Sequence, residues 1–347
     1  MASSLVDLPP EILIPTLALL PNRSILKFSQ CSRYARALAN SSLHTLNVAF
    51  RPSTLDEDLL LATQPSSVTG LSIRRKHCTE QCLGARHMYP CRLIHQRQGN
   101  LPSIDETQSD KTIIRVPNAD LYEYGTLVNF HSALLSSILG RHHNALQDID
   151  ISIWALTTPI AKAVARVQSL RKLSITIQEC FQARGPQRRF TAEQTTAWDV
   201  LCTLATSNGR LSTLRIEKGN LTHLQLFRLL ANNPRCYTLQ LLGCGAIGKV
   251  LWEFLGGKWE GRNNLRALTL ADCGGTLGQA TLENIGKLKG LETLDLQGCT
   301  GVDAKTMKEW NRSIWNIPHL TPPRSYTLFE EDVLEVDSAY EDSEDEQ

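Results

Sequence analysis

The chain of 347 residues contains no run of eighteen apolar residues, the length a membrane-spanning helix needs, so no such span is expected. Its first residues hold no basic segment followed by an apolar stretch, which predicts no secretory signal. It lacks G-x-S-x-G, H-E-x-x-H and any glycine-framed pair of carboxylates, so the motifs of common hydrolases are missing. What remains is the composition of an ordinary globular protein, 42% hydrophobic and 20% charged, long enough for more than one folding unit. Ten cysteines lie scattered along it, and without a signal they read as reduced thiols of the cytoplasm, the nucleus or both.

The net charge of +1 conceals an asymmetry. Residues 330–347 hold ten acids and no Lys or Arg, which leaves 25 acids against 36 bases elsewhere, a body of +11. Such a segment has too little apolar surface to fold alone, so residues 316–347 are expected to form a disordered acidic tail. It serves either solubility or a contact with the basic body or a partner. Ser338 and Ser343 each have Glu three residues on and suit an acid-directed kinase.

Residues 1–46 read as a small helical module. Pro9 and Pro10 fit the first turn of a helix, and Leu8, Ile12, Leu13, Thr16, Leu17 and Leu20 follow at helical spacing. Pro21 ends that helix. Ser24 is placed to cap a second, with Ile25, Phe28, Cys31, Ala35 and Leu38 on its apolar face. Helices this short cannot enclose a core unaided and need a partner or a following domain to cover them.

The order Leu8-Pro9-Pro10-Glu11-Ile12-Leu13, then Leu17, Leu20-Pro21, Ile25-Leu26 and Phe28, resembles an F-box. That family docks substrate receptors onto the Skp-type adaptor of a cullin–RING (SCF) ubiquitin ligase. The resemblance implies that Leu8, Pro9, Glu11, Ile12, Leu13, Leu17, Leu20 and Pro21, with Ile25, Leu26 and Phe28, contact the adaptor. Two positions depart from the pattern. Pro15 lies inside the first helix and removes one backbone hydrogen bond, which predicts a kink. Ala35 stands where the family usually has a large aromatic. Without a partner, the same residues describe a helical hairpin capping the next domain.

Residues 47–315 carry an internal repeat. L-x-x-L-x-L appears at Leu211, Leu265 and Leu291, with looser copies at Leu146, Leu170 and Cys236 and fainter ones at Leu43 and Val68. From 146 the starts are spaced 24, 41, 25, 29 and 26 residues apart, a leucine-rich-repeat period with one insertion. The fold class expected is therefore α/β: a helical N-terminal module followed by an irregular leucine-rich-repeat solenoid, parallel strands inside and helices outside. Residues between the buried aliphatics face the open, concave side. Lys172, Thr213, Arg215, Gln240, Thr269 and Asp295 are the substrate-binding candidates there, and a plain solvated face is the other reading. Cys244, Cys273 and Cys299 each follow the last aliphatic by three residues. In the repeats common beside F-boxes, which these resemble, that thiol packs inside the turn.

Two segments imitate chemistry. Gly243-Cys-Gly245-Ala-Ile-Gly248-Lys249 approaches a phosphate loop, but Val250 replaces the required Ser or Thr, and the repeat register already uses these glycines as a turn. Cys78, Cys82, His87, Cys91 and His95 fall in a basic insertion at about 74–100. The spacing is not that of zinc knuckles, so a basic insertion competes with a structural zinc site. Tyr89 is the one aromatic nearby, too few stacking platforms for nucleic acid, so no such partner is expected.

The combined expectation is a non-catalytic receptor with no cofactor and no metal. The module docks on the adaptor and the solenoid holds an unknown protein substrate. A leucine-rich-repeat interaction scaffold unconnected to ubiquitin transfer is the alternative.

Overall fold

The computed structural model describes residues 9–20, 22–52, 111–116, 119–178, 180, 190–204, 209–245, 249–273 and 275–323. They divide into two compact units, Met1–Leu204 and Ala205–Gln347.

The first unit opens with three short helices, α1 (Pro10–Ala18), α2 (Asn22–Ser29) and α3 (Arg33–Ser42). A single helix was expected from Ser24 through Leu38. The chain breaks instead at Ser32, which is extended (φ −160°, ψ 169°) and whose hydroxyl accepts the Ala35 N–H at 3.0 Å. A side-chain cap satisfies a backbone donor that a continuing helix would have used, so a new helix starts there. Ser24 consequently lies inside α2, and Cys31 is exposed in the break rather than on an apolar face.

β1 (Thr45–Pro52), β2 (Thr112–Val116), β3 (Asp148–Ile153) and β4 (Lys172–Ile177) follow, all parallel, in the spatial order β2-β1-β3-β4. The order departs from a strand-by-strand progression. The chain leaves β1, returns as β2 on its far side, and only then crosses back to pair β3 with β1. α4 (Tyr124–His142) and α5 (Thr158–Ala165) are the crossover helices. α6 (Phe190–Leu204) occupies the long interval between the repeats that start at Leu170 and Leu211. The faint repeat at Leu43 is a strand, β1. The one at Val68 lies outside the described residues.

The core beneath β1 and β3 is built around His131 of α4. Its ring meets Phe50 and Trp154 edge-on, each at 5.4 Å between centroids. Its nitrogens face the carbonyls of Leu127 (3.3 Å) and Ala155 (3.1 Å), although a neutral ring has one N–H to donate. Burial pushes its pKa down to about 4, against which the two carbonyls pull upward.

The second unit repeats one pattern. β5 (Thr213–Glu217), β6 (Thr238–Leu242), β7 (Ala267–Ala271), β8 (Thr293–Asp295) and β9 (His319–Thr321) pair in parallel, each with the next. Between them run α7 (His223–Ala231), α8 (Lys249–Glu253), α9 (Gln279–Ile285) and α10 (Ala304–Trp310). Leu214, Leu239, Leu268 and Leu294 stand in one register, and Ile216, Leu241, Leu270 and Leu296 repeat the alternation two residues on, all buried. This period of two places the aliphatic positions in the core and the intervening ones on the open face. Parallel strands joined by helices give a solenoid-like arrangement.

Strands β5 to β8 each turn out through a left-handed residue at the same place: Lys218, Gly243, Asp272 and Gly298, with φ of 55°, 63°, 54° and 76°. The N–H of Lys218 donates to Leu242 O, that of Gly243 to Ala271 O and that of Asp272 to Gln297 O, tying each turn to the next strand. The glycine at 243 is therefore one member of a recurring turn that non-glycine residues also occupy. Gly248 lies outside the described residues.

Three outcomes are expected. Gly298→Ala should cost about 2–3 kcal/mol in urea unfolding, since a methyl there adds left-handed strain and would sit 2.8 Å from the Asp272 amide nitrogen. Gly243→Asn should cost under about 1 kcal/mol. For His131, the depressed pKa means its contribution is complete above pH 6.5 and is lost as pH falls toward about 4. Between pH 7 and 4.5, wild-type stability should fall by about 2 kcal/mol more than that of His131→Leu in denaturant titrations.

Candidate interaction surfaces

α1 is apolar on two sides, and the fold uses them differently. Pro9 is extended (φ −57°, ψ 142°), and its carbonyl accepts the N–H groups of Ile12 and Leu13, starting the helix. Leu13 and Leu17, one turn apart, are 1% and 2% exposed and pack on Leu38 of α3, with Ile14 and Phe28 against them. Ile25 of α2 and Ala35 of α3 are buried as well. Where a large aromatic was the pattern, the small Ala35 side chain is fully enclosed.

Apolar surface on α1 and just past its end stays open. Ile12 is 53% exposed, and Leu19 and Leu20, seven and eight residues on, are 86% and 40% exposed. Pro15 and Thr16 lie on the same stripe, at the three- and four-residue spacing that shares a helix face. α1 runs through Pro15, and the Thr16 hydroxyl donates to the Ile12 carbonyl at 2.7 Å. Glu11 is exposed beside the stripe. Of the other positions the resemblance singled out, Leu8 and Pro21 and the side chain of Leu26 lie outside the described residues.

Residues 5–46 match the F-box domain. The match spans α1, α2 and α3 and ends at the start of β1. No curated protein matches the chain. An F-box domain implies binding to the Skp-type adaptor of a cullin–RING ligase, and in this chain it supplies α1 with an apolar stripe left over after its own core is built. Sequence spacing alone missed that division, because Ile12 and Leu13 are neighbours and both satisfy an apolar pattern.

The open faces of the strands are a second surface. In the second unit, Arg215, Gln240, Thr269 and Asp295 stand side by side in one register row. Thr213 begins the adjacent row. Arg215 is paired with Glu217 at 3.2 Å. Asp295 is only 7% exposed, its carboxylate accepts the Gln297 N–H at 3.1 Å, and burial moves its pKa upward. Lys172 belongs to the first unit, where it is exposed and pairs with Asp148 at 3.6 Å. Nearby, Lys111 bridges to Asp150 at 2.9 Å and donates to the Ser152 hydroxyl at 3.4 Å. Sequence reading did not find this group, because it depends on β2 lying beside β1.

The repeat-turn thiols point inward. Cys244 donates to Ile216 O at 3.5 Å, Cys273 to Leu241 O at 3.2 Å and Cys299 to Leu270 O at 3.6 Å, each reaching the preceding strand. Burial pushes the pKa of Cys236 and Cys299 up to about 12, so these two thiols stay protonated at neutral pH. Cys78, Cys82, His87, Cys91 and His95 lie outside the described residues. Among the described residues no cluster of His, Cys, Asp or Glu is placed to hold a metal ion, and no helix is long and apolar enough to cross a membrane.

Proposed function

We propose that this chain is the substrate-recognition subunit of an SCF-type cullin–RING ubiquitin ligase. The observation that carries the reading is the F-box match together with the unburied side of α1. Ile12, Leu19 and Leu20 form the apolar centre of the docking surface, flanked by Pro9 and Glu11. Leu13, Leu17 and Ile25 act from beneath by holding the three helices together. Covering a large aliphatic side chain is worth about 1.5–3 kcal/mol, so a few such residues suffice to anchor an adaptor.

Residues 47–315 are read as a leucine-rich-repeat solenoid that holds a protein substrate on its open face. The recurring left-handed turn, the aliphatic register and the inward thiols of Cys244, Cys273 and Cys299 support this. In the second unit the row Arg215, Gln240 and Thr269, with Thr213, is its proposed contact surface. Catalysis in this scheme is proximity: the receptor raises the local concentration of substrate near the charged ubiquitin enzyme and makes no bonds itself.

The test is co-purification of the full chain with the Skp-type adaptor. Ile12→Asp with Leu20→Asp should weaken binding at least tenfold while leaving the melting temperature of the chain essentially unchanged, because both residues are exposed. Leu13→Asp should instead destabilise the module. Wild-type chain that fails to bind, or a double variant that binds undiminished, would overturn the proposal in favour of a scaffold unconnected to ubiquitin transfer.

A further inference from the structure

The last described helix of the second unit carries a basic face. Lys305, Lys308 and Arg312 are spaced three and four residues apart, which puts them on one side of α10 and the turn after it. All three are exposed. With Ala304 and Glu309 they line an open groove of about 360 Å³. None of the three has an ion-pair partner among the described residues, whose bridges are those of Lys111, Lys172, Arg215 and Arg266.

The position of Lys305 is the telling one. It stands in the first turn of α10, where the helix presents its positive end and a cation is disfavoured. The nearby Asp303 caps the helix, its carboxylate accepting the Thr306 N–H at 3.4 Å. Lys308, in the last turn, suits the negative end of the helix, whereas Lys305 has only Glu309, four residues on, as an acid on its own face.

We propose that this face seats the acidic segment 330–347 of the same chain. Charge and reach select that occupant. The segment holds ten acids and no base, and Glu309 is the groove's one acid. The described chain ends at Pro323, just beyond β9, the strand that directly follows α10. Seven residues lead from there to Glu330, a span of up to about 25 Å, whereas α10 is about 10 Å long. Tethering gives the segment an effective concentration that no separate acidic partner at ordinary levels matches. Exposed pairs are individually weak and screened by salt, so the contact is rapid and salt-sensitive. Phosphate on Ser338 or Ser343 would add negative charge and tighten it. The inference does not depend on adaptor docking.

Zero-length carbodiimide cross-linking of the full chain, read by mass spectrometry, tests it. Acids between 330 and 346 should join to Lys305 and Lys308 in low salt. The yield should drop at least fivefold in 0.5 M salt (about a 4–5 Å screening length) and on Arg312→Glu, which leaves both lysines in place. Cross-links from these acids mainly to other lysines, or none, would overturn the proposal. Mixing isotope-labelled and unlabelled chains separates the remaining case: cross-links between copies would make the occupant a second chain and equally refute it.

Discussion

The packing of Leu13 and Leu17 on Leu38 is the constraint from which the open apolar stripe follows. It fixes the rotation of α1 about its own axis, and a helix of nine residues has no freedom to satisfy two partners with one side. With that side committed, Ile12, Leu19 and Leu20 are turned outward together. A module of three helices this small leaves apolar surface over once its own core is complete. The F-box match and the exposed stripe thus meet in one physical fact: the module is too small to hide all its apolar residues.

The strands that follow obey a different economy. Their core is a set of aliphatic rows, and the alternation that buries Leu239 and Leu241 leaves Gln240 facing out. The left-handed turn at Lys218, Gly243, Asp272 and Gly298 spaces the units, and the inward thiols satisfy carbonyls there without adding charge. The result is a regular frame whose open face can vary in chemistry without disturbing the core.

Much of this was legible in the sequence, and the failures are instructive. Pro9 and Pro10 marked the start of α1, and the L-x-x-L-x-L copies located β5 to β8 and the residues that alternate along them. The direction of burial in α1 was not legible, since apolar residues on both sides satisfy a helical pattern equally. The break before α3 was missed because apolar spacing continued across it while Ser32 supplied a cap. Thr-Ile-Ile-Arg-Val of β2 carries no repeat signature, and its place beside β1 is set by pairing across a long stretch of chain. Gly243 and Gly298 announced turns, whereas Lys218 and Asp272 adopt the same conformation without the residue type that signals it. The alternation placed Asp295 on the open side, yet neighbouring residues leave it little water, a packing effect that no period of two contains.

The most direct test of the central claim is hydrogen exchange of the full chain, alone and with the Skp-type adaptor, resolved by peptide. Slowed exchange concentrated in residues 9–20, with residues 209–323 unchanged, is what the account predicts. Adaptor-dependent protection that spares residues 9–20 and appears on the strands instead would contradict it.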